Sequence, residues 1–418
     1  MRDGYRPRVV DAELEQRLRS AGAVLIEGPK ACGKTATAER LASTVVRLDT
    51  DPAARALVGT APDVLFEDPK PILFDEWQVT PDLWNLVRRE VDDRAPHRGL
   101  FILTGSATPS DDVSRHTGAG RISRLRMRPM SLFEQGIASG DVSLRALFDG
   151  DLRARRDPGV TVQQLVDRLV IGGWPDLLNA AVPESRRWLQ DYLSTIVEVD
   201  LPQFGARRDP DRLRRLLTAL GRAVGTDGKV TSLAKDVGGP NGAADRATID
   251  GYLDSLRRLM LTEDLPAWAP HMRSTTPLHK SATRFFTDPS LGVAALGVGP
   301  EQLMRDLNAT GLHFEAMVVR DIRSYSQPLD GRLSHWRDGN GHEVDIVVTI
   351  ADGRWGAIEV KMNPDDCDRA ADSLVRFAAK VDTSKVGEPA FLAVVTTKTA
   401  AYRRPDGVWA LPVAALGP

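Results

Sequence analysis

The sequence predicts a multidomain α/β protein, and three observations predict it. Apolar runs alternate with helical stretches through the first 135 residues. The segment GPKACGKT (28–35) directly follows the first of those runs. Far downstream, EVDIVVTIADGRWGAIEVK (343–361) reads as two strands around a turn. At 418 residues the chain exceeds what one hydrophobic core holds, so two or three domains are expected.

The elements follow in order. DAELEQRLRSAG reads as a short amphipathic helix, AVLIEG as a buried strand, GPKACGKT as a loop and ATAERLAS as a helix. TVVRLDT and PILFDE are further strands, PDLWNLVRREVDD a helix and GLFILTGS a fourth strand. Apolar strands alternating with helices indicate a parallel sheet covered on both faces. This first domain is expected over 1–135. Residues 136–205 show apolar positions recurring at three and four, as in VTVQQLVDRLVIGGWPDLLNA, and read as a helical module. Residues 206–272 read as a winged-helix-like module, with helix, Gly-rich turn, helix and extended tail. HMRSTTPLHKSATR is polar and turn-rich and marks a boundary, so a mixed α/β domain is expected over 285–418.

Composition narrows the function classes. The formal net charge of -2 excludes a broadly basic nucleic-acid binder, so any such contact must be local. Two cysteines, Cys32 and Cys367, are too few for a disulfide framework or a cysteine-rich zinc site, and fit a reducing cytoplasm. The N-terminus lacks a signal-peptide apolar core and no apolar run is long enough to span a bilayer, so no membrane partner is expected.

Gly28, Gly33, Lys34 and Thr35 fit G-x-x-x-x-G-K-[ST]. The glycines let the backbone curl so that several N–H groups point at the phosphates. Gly28, Pro29, Lys30, Ala31, Cys32, Gly33, Lys34 and Thr35 are therefore the expected ATP-binding residues. Lys34 would reach the β and γ phosphates, Thr35 would hold Mg²⁺, and the following helix adds its positive end. The Cys32 side chain has no required task. Asp75 and Glu76 end a buried strand in ILFDE, where carboxylates are costly unless they face a metal and water. Asp75 is the expected Mg²⁺ partner and Glu76 the group that polarises water. Thr104 and Ser106, ending FILTGS, are placed to orient that water.

In the hairpin, folding about ADGR brings Asp345 beside Glu359 or Lys361. Apolar residues are expected on one face and Asp345, Glu359 and Lys361 on the other. Two carboxylates can hold Mg²⁺ for phosphodiester hydrolysis, with Asp345 and Glu359 as ligands and Lys361 stabilising developing charge. Glu and Lys at alternate positions are also an ordinary pair on a solvated strand. The second helix of the middle module, ADRATIDGYLDSLRRL, exposes Asp250 and Asp254 beside its arginines, which suits structural or partner-binding work better than DNA readout.

With RVVDAELEQRL, LIEGPKACGKTATA, ILFDEWQ, FILTGSA, GRISRLRMRPMSLFEQG, GGWPDLL and the 343–361 hairpin in this order, the chain resembles prokaryotic AAA-type ATP-binding proteins whose C-terminal domain of unknown function looks like a PD-(D/E)xK nuclease. The resemblance covers nearly the whole chain. It implies an AAA-type P-loop parallel-sheet domain, a helical lid over 136–205, the winged-helix-like module and a PD-(D/E)xK-like α/β domain. It further implies that Arg121 serves as an arginine offered to a neighbouring subunit and that Glu315 completes the nuclease-like set. Val344-Asp345 stands where the motif has Pro-Asp. Two functions are thereby expected: ATP hydrolysis gating a nuclease that acts on DNA or RNA, or an ATP-dependent switch whose C-terminal domain binds a protein partner without cutting. Homo-oligomers are common among such ATPases.

Overall fold

The computed structural model describes residues 4–105, 118–204, 209–270 and 281–418. Contacts divide it into two units, Met1–Pro129 with Arg258–Met260, and Met130–Arg257 with Leu261–Pro418.

In the first unit, five strands make a wholly parallel sheet. They are β1 (Ala23–Glu27), β2 (Thr44–Arg47), β3 (Ile72–Asp75), β4 (Phe101–Gly105) and β5 (Ile122–Arg126), in the spatial order β2-β3-β4-β1-β5. β3 and β4 are buried throughout, as short continuous apolar runs require when helices cover both faces. Phe66, Phe74 and Phe101 pack edge-on and tilted at centroid distances of 5.4 to 6.1 Å. Because every strand runs the same way, β1, β3 and β4 all deliver their last residues to one edge of the sheet.

The second unit is built on a six-stranded mixed sheet in the order β11-β12-β10-β9-β8-β7. β7 (Arg332–Arg337), β8 (Glu343–Thr349) and β9 (Trp355–Lys361) form an antiparallel meander. β10 (Phe391–Thr396) then returns parallel to β9 after the helix Cys367–Ala378. β12 (Trp409–Pro412) and β11 (Tyr402–Arg403) complete that edge. The helix Leu307–Ser326 lays Phe314, Met317, Val318 and Ile322 into the same core as Ile346, Val348, Ile358 and Val360.

The separate lid expected over 136–205 is corrected. Its helices form as expected (Leu144–Asp149, Val162–Ile171 and Val182–Thr195), but Leu147, Phe148, Leu165 and Leu169 are buried in the core of the C-terminal sheet. Phe148 meets Phe391 edge-on at 5.1 Å. The short strand β6 (Val142–Ser143) pairs with β13 (Leu416–Gly417) at the far end of the chain. An amphipathic stripe reports that a helix is buried on one side, not against what. The boundary expected between 272 and 285 is corrected for a similar reason. Helices Pro210–Arg222, Val230–Gly238 and Arg246–Arg258 are followed by antiparallel bridges Thr262–Phe286, Leu265–Thr283 and Thr226–Arg284, so residues 283–286 belong with the middle helices. Residues 271–280 of that boundary lie outside the described residues.

A buried charge network joins these segments. Arg320, 1% exposed, donates to Asp288 Oδ2 at 2.9 Å and, through Nε, to Asp321 Oδ1 at 2.9 Å. Asp288 also accepts from the Gly173 and Ser290 backbones, both at 3.0 Å, and Asp321 accepts from Leu132 N at 3.2 Å. Burial pushes Asp321 up to about 6 while Arg320 pulls it down. The network explains two stretches that pattern alone left without a role. In SLFEQG, Ser131 N and Oγ both donate to Glu134, and Gln135 donates to Met130 O. In GGWPDLL, a Cβ on Gly173 would stand 2.2 Å from Met130 O, so no other residue fits there without a shift.

Removing one partner of a buried ion pair leaves the others uncompensated. Arg320→Met is expected to lower the stability of the second unit by about 3–5 kcal/mol. Urea denaturation followed by tryptophan fluorescence checks this, and an unchanged midpoint would show that the network contributes nothing.

Candidate functional site

β1 ends at Glu27 and the chain enters the loop Gly28–Gly33 before the helix Lys34–Glu39. The loop curls through two left-handed residues, Ala31 (φ 61°) and Gly33 (φ 99°). Alternation of that kind turns successive N–H groups toward one concave side. A Cβ on Gly28 would lie 2.3 Å from Met127 O, so the loop base lies directly against the chain leaving β5. Lys34, 5% exposed, donates to Gly28 O at 3.0 Å and Pro29 O at 2.8 Å. Its ammonium thus spans the loop mouth.

Asp75 stands beside this loop. Its Oδ1 accepts from Thr35 Oγ1 at 2.9 Å and from Thr104 Oγ1. β4 lies between β1 and β3 and aligns Thr104 with Asp75 and Ile26, which is why three separated segments meet at one oxygen. Thr104 was expected to orient water. Its hydroxyl instead donates to Asp75, and it is fully buried. Glu76 follows in the left-handed region at φ 54°, a strained backbone for a non-glycine residue, and accepts from Gln78 Nε2. A hydroxyl and a carboxylate together are oxygen donors suited to a hard divalent cation such as Mg²⁺. Ser106 lies outside the described residues.

Arg121 precedes β5, at the opposite end of the strands from the phosphate loop, since Ala23 at the start of β1 is aligned with Ile122. It is half-exposed and paired with Asp92 at 2.8 Å. It therefore takes no part in this chain's own loop. Arg124 pairs with Glu27 at 2.9 Å on the edge strand.

A second cluster occupies the C-terminal sheet. Asp345 Oδ2 accepts from Val360 N at 2.7 Å and lies 3.4 Å from Lys361 Nζ. Lys361 donates to Glu359 Oε2 at 2.6 Å. One ammonium is thus shared by two carboxylates. The expected single wet face is corrected. Val347, Trp355 and Ala357 are buried under Ala370, Leu374 and Phe377, while Ile346 and Ile358 fill the other side. Both faces are covered, and Asp345 escapes through a bulge: Ser334 pairs with Val347 but Trp336 with Val344, which places two β8 residues, Asp345 and Ile346, against one of β7, His335.

Glu315 and Asp345 line one cleft of about 380 Å³, together with Asp227, Thr283, Trp336 and Glu343. Burial, then the charge of Asp345, holds Glu315 well above the usual carboxylate range. Burial and Asp345 likewise push Glu359 up to about 8, and Asp345 and Glu359 raise the Lys361 ammonium against the effect of burial. Asp345 and Glu359 reach one shared point and could there hold one cation in place of the ammonium. Among the described residues, no group of three or more His, Cys, Asp or Glu side chains could hold a metal ion. His335 lines the cleft and contacts Ser281 O at 3.0 Å, whereas His342 is bonded to Ser373 at 2.9 Å.

A parallel sheet whose interior strand β1 runs into a phosphate loop, with a hydroxyl and an acidic strand end beside it, is the arrangement of a P-loop nucleotide-binding domain. Residues 20–135 match the family model described as AAA domain. Residues 162–302 match Domain of unknown function (DUF8612), and residues 310–416 match Domain of unknown function (DUF4143). The first of these two spans the expected 205/206 boundary, in keeping with the shared core. Uncharacterized proteins of Mycobacterium tuberculosis and Mycobacterium bovis are each 25% identical over 361 residues, 84% of this chain and 72% of theirs. Among solved structures, a Walker-type ATPase of Pyrococcus abyssi aligns at 13% identity with TM-score 0.40, over 68% of this chain and 94% of that one. The ORC2 protein of Aeropyrum pernix, in ADPNP–ADP complexes, aligns at 13% with TM-score 0.31, over 74% and 98%. No helix among the described residues is long and apolar enough to cross a membrane.

The network Arg320–Asp288–Asp321 and the Arg8 contacts described below were not anticipated. The Asp-Pro pair at 288–289, typical of a helix start, was the available signal for the first.

Glu359 keeps its proton in the folded chain at pH values where the unfolded chain releases it. The stability this contributes is present below the ordinary carboxylate range and is lost as pH rises through about 8. Glu359→Gln should lack that loss, so it should resist urea better than the native chain at pH 9 and similarly at pH 4. Parallel pH–stability curves would contradict the assignment.

Proposed function

We propose that the chain binds ATP with Mg²⁺ and hydrolyses it, and that nucleotide state controls the second unit. The observation that carries the reading is the meeting of Thr35, Thr104 and Asp75 beside a loop whose lysine is already at its mouth. Lys34 would exchange the Gly28 and Pro29 carbonyls for phosphate oxygens, a stronger charge-assisted contact. Thr35 and Asp75 would hold Mg²⁺, which neutralises phosphate charge when bound. Glu76 would take a proton from the attacking water, and its strained backbone holds the carboxylate at the strand end. Arg121, exposed away from its own loop, is available to a neighbouring subunit, with Asp92 as its resting partner.

In the second unit we read Glu315, Asp345, Glu359 and Lys361 as a nuclease-like site for DNA or RNA. The support is their convergence from a helix and a bulged hairpin. A divalent cation there would supply Lewis-acid help to the phosphate when bound. Asp345 and Glu359 would hold it, Lys361 would turn from them toward phosphate, and Glu315 would retain or release a proton. The acidic lining of the cleft (Asp227, Glu315, Glu343 and Asp345) also suits a basic segment of a protein partner, the reading in which nothing is cut. The middle helices, winged-helix-like in their order and bridging strands, would carry the nucleotide signal.

Lys34→Ala is expected to abolish ATP binding measured by calorimetry. Glu76→Gln should keep binding and lose about 10²–10⁴-fold in hydrolysis rate, the usual contribution of a positioned base. Equal turnover in Glu76→Gln and native protein would remove Glu76 from that role. For the second unit, a panel of single- and double-stranded DNA and RNA is incubated with Mg²⁺ or Mn²⁺, with and without ATP. Cleavage lost in Lys361→Ala is the expected result. No cleavage alongside intact ATP turnover would favour the protein-binding switch.

A further inference from the structure

RVVDAELEQRL and the end of GRISRLRMRP are distant in sequence, yet one side chain joins both to the phosphate loop. Arg8 is 8% exposed. Its Nη1 donates to Cys32 O at 2.9 Å and its Nη2 to Arg128 O at 2.7 Å. The arginine is itself placed by Asp11, whose Oδ2 accepts from Arg8 N at 2.9 Å. Asp11 in turn is held by Tyr5 at 2.7 Å and Arg40 at 2.7 Å. Tyr5 also meets Thr37 at 3.0 Å, on the helix that follows the loop.

The consequence lies in the geometry of one peptide. In a planar trans peptide the carbonyl of one residue and the N–H of the next point in opposite directions. Drawing Cys32 O outward to Arg8 turns Gly33 N–H the other way, toward the concave side of the loop. Gly33 is the left-handed residue at φ 99°, the step that aligns neighbouring N–H groups into an anion nest. Lys34 cannot do this work, because its ammonium is engaged with Gly28 O and Pro29 O and must leave them when phosphate arrives. Cys32 O therefore needs a donor that stays in place. A buried, always-charged guanidinium with a second carbonyl to hold it is such a donor.

We infer that Arg8 is a positioning residue of the phosphate site: it fixes the Cys32–Gly33 peptide plane so that Gly33 N–H faces the β and γ phosphates, and it ties that peptide to Arg128. Arg128 directly precedes Pro129, the last residue of the first unit before the chain passes to the second. Met127 O lies against the loop at Gly28 as well, so the loop and the exit of β5 are packed as one piece. This inference rests on the ATP-binding reading and adds to it a residue that touches no phosphate.

The test compares native protein with Arg8→Met, Arg8→Lys and Lys34→Ala. Calorimetric titration with ATP and with ADP is combined with kcat and KM for ATP, and with alkylation of the buried Cys32 by iodoacetamide without nucleotide. Arg8→Met should weaken ATP and ADP binding by about 10- to 100-fold, the loss of one or two charge-assisted hydrogen bonds. KM should rise by a similar factor while kcat at saturating ATP stays within a few fold. Cys32 should alkylate faster, and Arg8→Lys, which keeps the charge, should recover part of each effect. A folded Arg8→Met protein that binds ATP as tightly as native, with Lys34→Ala still inactive, overturns the inference and leaves the ATP reading standing. Equal Cys32 reactivity in folded Arg8→Met and native protein overturns it independently of nucleotide. Native protein that binds no nucleotide overturns the ATP reading and the inference with it.

Discussion

Arg320 carries a full positive charge at a place that water does not reach, and the second unit is arranged to compensate it. Asp288 and Asp321 supply two carboxylates, and the backbone N–H groups of Leu132, Gly173 and Ser290 satisfy their remaining oxygens. Each of those donors belongs to a different stretch of chain. The charge can be buried only if the turn at 130–135, the Gly-Gly turn at 172–173, the helix start at 288–290 and the helix Leu307–Ser326 arrive together. A buried ion pair of this kind is poor evidence of added stability in itself, because its desolvation offsets much of the attraction. Its effect is to make alternative arrangements costly. The same helix presents Glu315 to the acidic cleft, so the network also sets where that carboxylate lies.

The two candidate sites use opposite electrostatic arrangements. In the first unit the loop offers N–H groups, a lysine and the positive end of a helix, all of which favour an anion. Beside them Asp75 accepts from two hydroxyl donors. In the second unit three carboxylates crowd a single lysine. Burial and mutual repulsion raise Glu315 and Glu359, and Lys361 is the cation that keeps the cluster tolerable. A site with that balance favours a cation, and reaches a phosphate only through one. An ATP-driven protein that combined the two would bind its nucleotide directly and its second ligand by way of positive charge.

Much of this organisation was legible in the residues. The alternation of apolar runs with helices determined the parallel sheet, because both faces of such a sheet must be covered and its interior strands then read as near-continuous apolar runs. GPKACGKT determined the phosphate loop, because few other sequences allow left-handed turns and place a lysine and a hydroxyl at a helix start. The hairpin 343–361 was readable from its period of two, and its acid and lysine residues do meet. What failed were statements about what lies against what. The helices of 136–205 were legible as helices, yet their partner is a sheet formed some two hundred residues later.

The sequence by itself determined the local devices: loop, capped helices, strands, the turn at ADGR and the acidic ends of two strands. Each depends on neighbours within a few residues, where backbone geometry and hydrophobic period act directly. Only the tertiary structure decided that β4 would insert between β1 and β3 and carry Thr104 to Asp75. It alone decided that an extra β8 residue would release Asp345 from a doubly covered sheet, and that Arg8 would reach both Cys32 and Arg128. These are pairings between residues tens to hundreds of positions apart. Their free energy comes from burial shared across segments, and no single segment records it.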